Sequence, residues 1–370
     1  MIRIAQRPDA VLLLADGTFF YGKALGKMGT SGGELCFNTG MTGYQEIYTD
    51  PSYFGQIIIH TMPHIGNYGV VKSETESDSV KVSGVICDSF SAVYSRSGAD
   101  DNLDNYLAEN GIVGIAGIDT RKLVRHIRHK GAMNAVISSI QTDKNLLRSE
   151  VEGIPDMESL ELAGMVMTAK PYLAGNESGK KVVVLDFGIK QNIVNQLIDN
   201  NLYCHVIPGN FELEPVLSLE ADAYFISNGP GDPAVMDQAV STIRAILKTG
   251  KPVFGICLGH QLLARAFGIS TYKMKNGHRG LNHPVKNLLT GHCEITSQNH
   301  GFAVEKSALV NHKDLILTHI NLNDDTVEGL QSKDGRAFSV QYHPESNPGP
   351  HDSRYLFSRF ANLVSGQHQH

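Results

Sequence analysis

The sequence has no excess of positive charge: 32 Lys and Arg stand against 38 Asp and Glu, giving a net charge of −6, and no basic run stands out. Nucleic acids and anionic membranes are held by clustered cations, so neither is expected as a partner. No continuous apolar stretch is long enough to span a bilayer. The beginning, MIRIAQRPDAVLLLADGTFF, has a basic start and a short apolar run. It passes straight into a hairpin signal without a small-residue cleavage site, so no signal peptide is expected. Five cysteines, at 36, 87, 204, 257 and 293, are scattered, odd in number and lack any C-x-x-C pair. That argues against a disulfide framework and a structural zinc site, and fits a reducing cytoplasm. Neither G-x-x-x-x-G-K-[ST] nor G-x-G-x-x-G occurs. Nothing here is shaped to hold ATP, so no cofactor is expected in this chain. The ending GQHQH carries two histidines at i, i+2 and reads as a frayed tail.

What is present falls into two blocks, 1–145 and 180–370, with a linker expected over 146–179. The first block mixes short strands, turns and helices. VLLLADGTFFYGKALG predicts a hairpin turning at Asp16-Gly17, and VSGVICDSF and AVISS predict strands. DTRKLVRHIRHKG predicts a helix, with Asp119 as N-cap, Leu123 and Ile127 on one face and Gly131 as the stop. The expected linker is marked by acidic patches, Pro155, Pro171 and AGNESGKK. From residue 180, apolar strands without alternation (KVVVLDFG, YCHVIP, ADAYFIS, KPVFGI) are spaced by helical segments. That pattern predicts an α/β fold with an open, mostly parallel sheet covered by helices on both faces.

Three pieces of this second block carry chemical potential. Gly255-Ile256-Cys257-Leu258-Gly259 has the G-x-C-x-G form of a nucleophile elbow, placed between a strand and the helix HQLLARAFG. Glycines on both sides leave room for a strained turn. A helix start offers free N–H groups and a positive dipole end, which favour a thiolate and an oxyanion beside it. A small buried cysteine beside a tight turn would look the same in isolation. In VQYHPES an apolar strand ends at His343, and Glu345 at i+2 projects to the same side, where it could steady the imidazole. A strand-end histidine beside a solvated glutamate remains the plainer alternative. SNGPGDP (227–233) follows another strand and could expose backbone N–H groups, or could be an ordinary loop.

Taken together and in this order, SNGPGDP, GICLGHQ and VQYHPE closely resemble the class I (triad) glutamine amidotransferases, over residues 180–365. FNTGMTGYQEIYTDPSYFGQIIIHTMPHIGNYG, GHRGLNHPV, SQNHGFAV and QYHPESNPGPHD resemble the carbamoyl phosphate synthetase small subunits, which extends the likeness end to end. Gly40 and Met62 depart from the family pattern and touch no catalytic position. The resemblance implies a flavodoxin-like amidotransferase domain behind a small-subunit N-terminal domain. It implies Cys257 as nucleophile on the amide of L-glutamine, His343 as proton carrier and Glu345 as its orienter. Gly231 and Leu258 would supply the oxyanion N–H groups. The implied glutamine contacts are Ser52, Gly229, Gly231, Leu258, Gln261, Asn299, Gly301 and Phe302. Because Ser52 belongs to the first block, the implied site involves both domains.

The family further implies a large ATP-grasp subunit, which would hold ATP and Mg2+ and receive ammonia, in a heterotetramer or octamer-type assembly. The carbamoyl phosphate would serve arginine or pyrimidine synthesis, or both. A glutaminase subunit of another amidotransferase, or a non-enzymatic scaffold on this fold, are the alternatives. The first block argues against the former, and the intact Cys257, His343 and Glu345 argue against the latter. No metal is expected, because His278, His283, His292, His300 and His312 show no ligand spacing. His260 is assigned to packing or capping, and Cys36, Cys87, Cys204 and Cys293 to the core.

Overall fold

In a computed structural model of the chain, which describes residues 7–367, Asp16 and Gly17 turn one strand back on the next. Gly17 takes φ +85°, a value open to glycine at little cost, and the Thr18 N–H donates to the Asp16 carboxylate at 3.0 Å. The flanking strands, Asp9–Leu14 and Phe19–Gly26, open a closed barrel. It continues through Val113–Ala116, Gly84–Ile86, Gln56–His60 and Thr30–Asn38, and closes through Asn134–Ser138. After the exposed Asp9, strand Asp9–Leu14 is apolar because both of its faces are covered. Ala10, Leu12 and Leu14 join one cluster, which also takes Leu123 and Ile127 of helix Thr120–Lys130. Val11 and Leu13 join another, with Leu147 and Val151 of helix Lys144–Glu152. Asp119 caps helix Thr120–Lys130, accepting from the Lys122 N–H, and Gly131 ends it, both as expected.

The chain divides into two units at Met157/Glu158. Residues 146–179, expected as a linker, are therefore structured and shared out. The helix Lys144–Glu152 belongs to the first unit, while Ala163 and strand Tyr172–Ala174 belong to the second. The acidic and proline-rich composition marks the surface of these pieces, while the buried Leu147, Val151 and Ala163 anchor them.

The second unit is built on a ten-stranded sheet. At its centre Leu202–Pro208, Lys180–Asp186, Ala223–Ile226, Val253–Ile256 and Ala337–Val340 run parallel in that spatial order. Val183 and Leu185 face one apolar cluster, Val182 and Val184 the other. Covering both faces removes any polar alternation. Tyr172–Ala174 adds an antiparallel edge. Beyond Ala337–Val340 the sheet continues as an antiparallel arm: Val327–Ser332, Leu315–Asn321, Thr271–Asn287 and Cys293–Val304. Among the described residues no helix is long and apolar enough to cross a membrane. The GQHQH histidines and the first six residues lie outside the described part of the chain.

Candidate active site

Strand Val253–Ile256 ends at Cys257, and helix Leu258–Ala266 begins immediately after it. Cys257 is the pivot, with φ +54° and ψ −103°, a conformation that costs a non-glycine residue about 1–3 kcal/mol. The flanking glycines make that turn fit. A Cβ on Gly259 would fall 2.2 Å from the Ile226 carbonyl oxygen, and one on Gly255 would fall 2.7 Å from that of Gly259. The helix start is thus pressed onto strand Ala223–Ile226, and its first-turn N–H groups have no partner within the helix. The thiol is buried and donates to the Asn299 carbonyl at 3.5 Å.

His343 arrives from the neighbouring strand. Ala337–Val340 runs on past its last ladder pair, and the His343 N–H donates to the Ser297 carbonyl at 2.9 Å. The His343 Nδ1 and Glu345 Oε1 lie 2.7 Å apart, both side chains buried. The opposite ring nitrogen, Nε2, is buried without a hydrogen-bond partner among the described residues. Burial disfavours charge on this ring, but the Glu345 carboxylate and the neighbouring Cys257 sulfur outweigh it and raise His343 to about 10. Burial alone would raise Glu345. The Lys190 ammonium and the His343 imidazolium reverse this and hold it at about 2.

Lys190 is a residue that sequence reasoning missed. It is buried, its Nζ lies 3.0 Å from Glu345 Oε1, and it also donates to the Ser346 and Asn347 carbonyls at 3.1 and 3.2 Å. Just ahead of helix Gln191–Asp199 it has the look of an ordinary solvated lysine, and no local signal marks it. Asn192 supports the same loop, donating to the Glu345 carbonyl at 2.8 Å. The result is a line of groups of alternating charge capacity: Lys190, Glu345, His343, Cys257.

The other expected residues divide by place. Gly229 and Gly231 lie in the loop after strand Ala223–Ile226, where a Cβ on Gly229 would fall 2.1 Å from the Phe187 carbonyl oxygen and Gly231 has φ +100°. Asn299, Gly301 and Phe302 lie on strand Cys293–Val304. Gln261, one turn into the elbow helix, donates through Nε2 to the Phe302 carbonyl at 2.9 Å and to Gln341 Oε1 at 3.0 Å. Both amide hydrogens are engaged, which leaves its oxygen to accept. Ser52 belongs to the first unit, in the turn Pro51–Tyr53, where its N–H donates to Asp50 at 2.9 Å. His260 packs as expected, 2.9 Å from Ser339 Oγ and lowered to about 3 by burial and by His319. Cys36, Cys87 and Cys204 are buried, but Cys293 is exposed: it opens its strand at the rim of the antiparallel arm.

Comparison with known proteins decides the family. The family model for the carbamoyl-phosphate synthase small chain, CPSase domain, matches residues 12–137, and that for class-I glutamine amidotransferase matches 183–363. A carbamoyl phosphate synthase small chain of Chlorobaculum tepidum is 49% identical over 97% of this chain and 98% of its own length. The chain belongs to the carbamoyl phosphate synthase small chains. Proteins of the same name from Synechococcus sp. (47% identical, 98% of this chain and 95% of theirs) and Listeria monocytogenes (46%, 97% and 98%) agree. A small chain implies a larger partner. The full-length match also sets aside the glutaminase subunit of another amidotransferase.

Proposed function

We propose that this small chain is the glutaminase of its synthase, and that Cys257, His343 and Glu345 carry the reaction. The Cys257 thiolate adds to the side-chain carbonyl carbon of L-glutamine. The tetrahedral oxyanion is received by the backbone N–H groups of Leu258 and Gly231. As the carbon–nitrogen bond breaks, His343 gives its proton to the departing ammonia, leaving a γ-glutamyl thioester. His343 then takes a proton from water, the hydroxide displaces the thiolate, and glutamate leaves. Glu345 holds the imidazole in register and Lys190 keeps Glu345 ionised. Gln261, through its free oxygen, suits the α-ammonium of the substrate. Gly229, Asn299, Gly301 and Phe302 complete the contacts in the second unit, and Ser52 enters the reading on the family resemblance alone.

The observation that carries this reading is the strained Cys257 turn, set at a helix start and in reach of a buried, charge-compensated histidine. Ammonia is delivered, in this reading, to a large ATP-grasp subunit that binds ATP and Mg2+. The pair works in the cytoplasm as a heterotetramer or larger assembly, and its carbamoyl phosphate feeds arginine or pyrimidine synthesis. The test is glutamate release by the small chain and by its Cys257→Ser variant, with mass detection of an adduct after acid quench. Turnover by the variant at the parent rate would end the proposal.

A further inference from the structure

Three potential ligands outside the triad meet in the antiparallel arm, one of them, His300, between the expected glutamine contacts Asn299 and Gly301. His278 and His300 are cross-strand partners of the long hairpin, with ring centroids 4.9 Å apart and planes at 87°. Glu328 reaches them from strand Val327–Ser332, and one ligand atom from each of the three lies within 4.8 Å of the others. All three residues are buried. Spacing along the chain conceals the group, because the register of the hairpin, and not a short motif, brings the histidines together.

The outer atoms of the group are already held. His278 Nε2 lies 2.9 Å from the Asp324 carboxylate, which turns Nδ1 towards Glu328 Oε1 at 3.5 Å. His300 Nδ1 lies 2.8 Å from the Phe302 carbonyl. That nitrogen must carry the proton, so Nε2 carries the lone pair. Asn321 donates to Glu328 Oε1 at 2.9 Å. A carboxylate or carbonyl on the far nitrogen of each histidine, and an amide on the carboxylate, is the outer arrangement that orients metal ligands.

Two further observations point inward to something missing. Glu328 is fully buried, yet its Oε2 has no hydrogen-bond partner among the described residues. A buried acceptor left unpaired costs about 1–3 kcal/mol, more when charged. Gln298 Oε1 also faces the lone pair of His300 Nε2 at 2.7 Å, acceptor against acceptor. Turning that amide over would relieve His300 but not Glu328. A cation among the three answers both.

We infer that His278, His300 and Glu328 form a binding site for a divalent first-row transition metal. Two imidazoles and a carboxylate suit zinc, with a further position left for water or the Gln298 oxygen.

The test uses the full chain carrying Cys257→Ser, so that the nucleophile thiol takes no metal. Zinc is titrated in competition with a chromophoric chelator, and cobalt is substituted to read its d–d absorption. One tight equivalent is expected, with cobalt bands that lack thiolate charge transfer. Glu328→Gln should weaken uptake about 100-fold, and Asp324→Asn, at a half-exposed side chain, about 10-fold or more. The metal-free melting temperature checks that each variant folds. Absence of tight uptake overturns the site, as does uptake indifferent to Glu328→Gln. Should that variant fail to fold, unchanged affinity in Asp324→Asn overturns it equally.

Discussion

His343 keeps its proton because Glu345 and Cys257 overcome the cost of burying the charge. In Glu345→Gln burial is left with less opposition, the imidazole loses its proton at neutral pH, and leaving ammonia finds no donor. Glutaminase kcat should then fall about 100-fold or more at neutral pH, recovering partly as the assay is made acidic. A loss without that recovery would mean that Glu345 acts only through geometry. The same shifts set the pH dependence of stability. Glu345, lowered to about 2, contributes above its ordinary range and loses that contribution as pH falls through about 2. His343, raised to about 10, contributes fully below its ordinary value of 6.5 and loses that as pH rises through about 10. Denaturant titrations should therefore show the parent losing more stability than His343→Gln between those two values. The Cys257 turn was legible from its flanking glycines between a strand and a helix, and the His343–Glu345 contact from their i, i+2 spacing at a strand end. Lys190 was not: its burial follows from Glu345, some 150 residues later in the chain, and nothing adjacent to it announces a partner.

The elbow is a property of a whole strand-turn-helix element, and its strain can be measured. Ordinarily glycine is less stabilising than alanine by about 0.5–1 kcal/mol. At φ +54° the order should invert, with Cys257→Gly more stable to denaturant than Cys257→Ala by about 1 kcal/mol. The glycines have the opposite requirement. Gly259→Ala places a methyl 2.2 Å from the Ile226 carbonyl oxygen, and the helix must lift off the sheet. We expect a loss of about 1–3 kcal/mol together with most of the glutaminase turnover. A variant that keeps full activity would show that the helix start need not lie where it does. At this scale the sequence was readable wherever one rule dominated: caps for helix Thr120–Lys130, unbroken apolar runs for the parallel strands. The strand Thr271–Asn287 escaped because bulges between Lys273 and His278 and between Gly280 and His283 break its period of two.

For the whole molecule, composition and packing disagree about where the chain divides. Residues 146–179 are acidic and interrupted by proline, so on composition alone they separate two blocks. Packing divides them at Met157/Glu158, because each of the five apolar clusters lies wholly on one side of that point. Barrel closure was equally hidden, since strand order depends on which distant edges pair. The two boundaries make different predictions. A fragment beginning at Glu158 keeps Ala163 in its core and Tyr172–Ala174 paired along Leu202–Pro208. It should unfold in a single cooperative transition. A fragment beginning at Lys180 loses that buried alanine, about 1 kcal/mol or more of packing, and uncovers the edge of Leu202–Pro208. It should melt lower and aggregate more readily through the bared strand. Calorimetry and light scattering on the two fragments separate the cases. Equal melting temperatures would place 158–179 outside the folding unit, and the compositional boundary would stand.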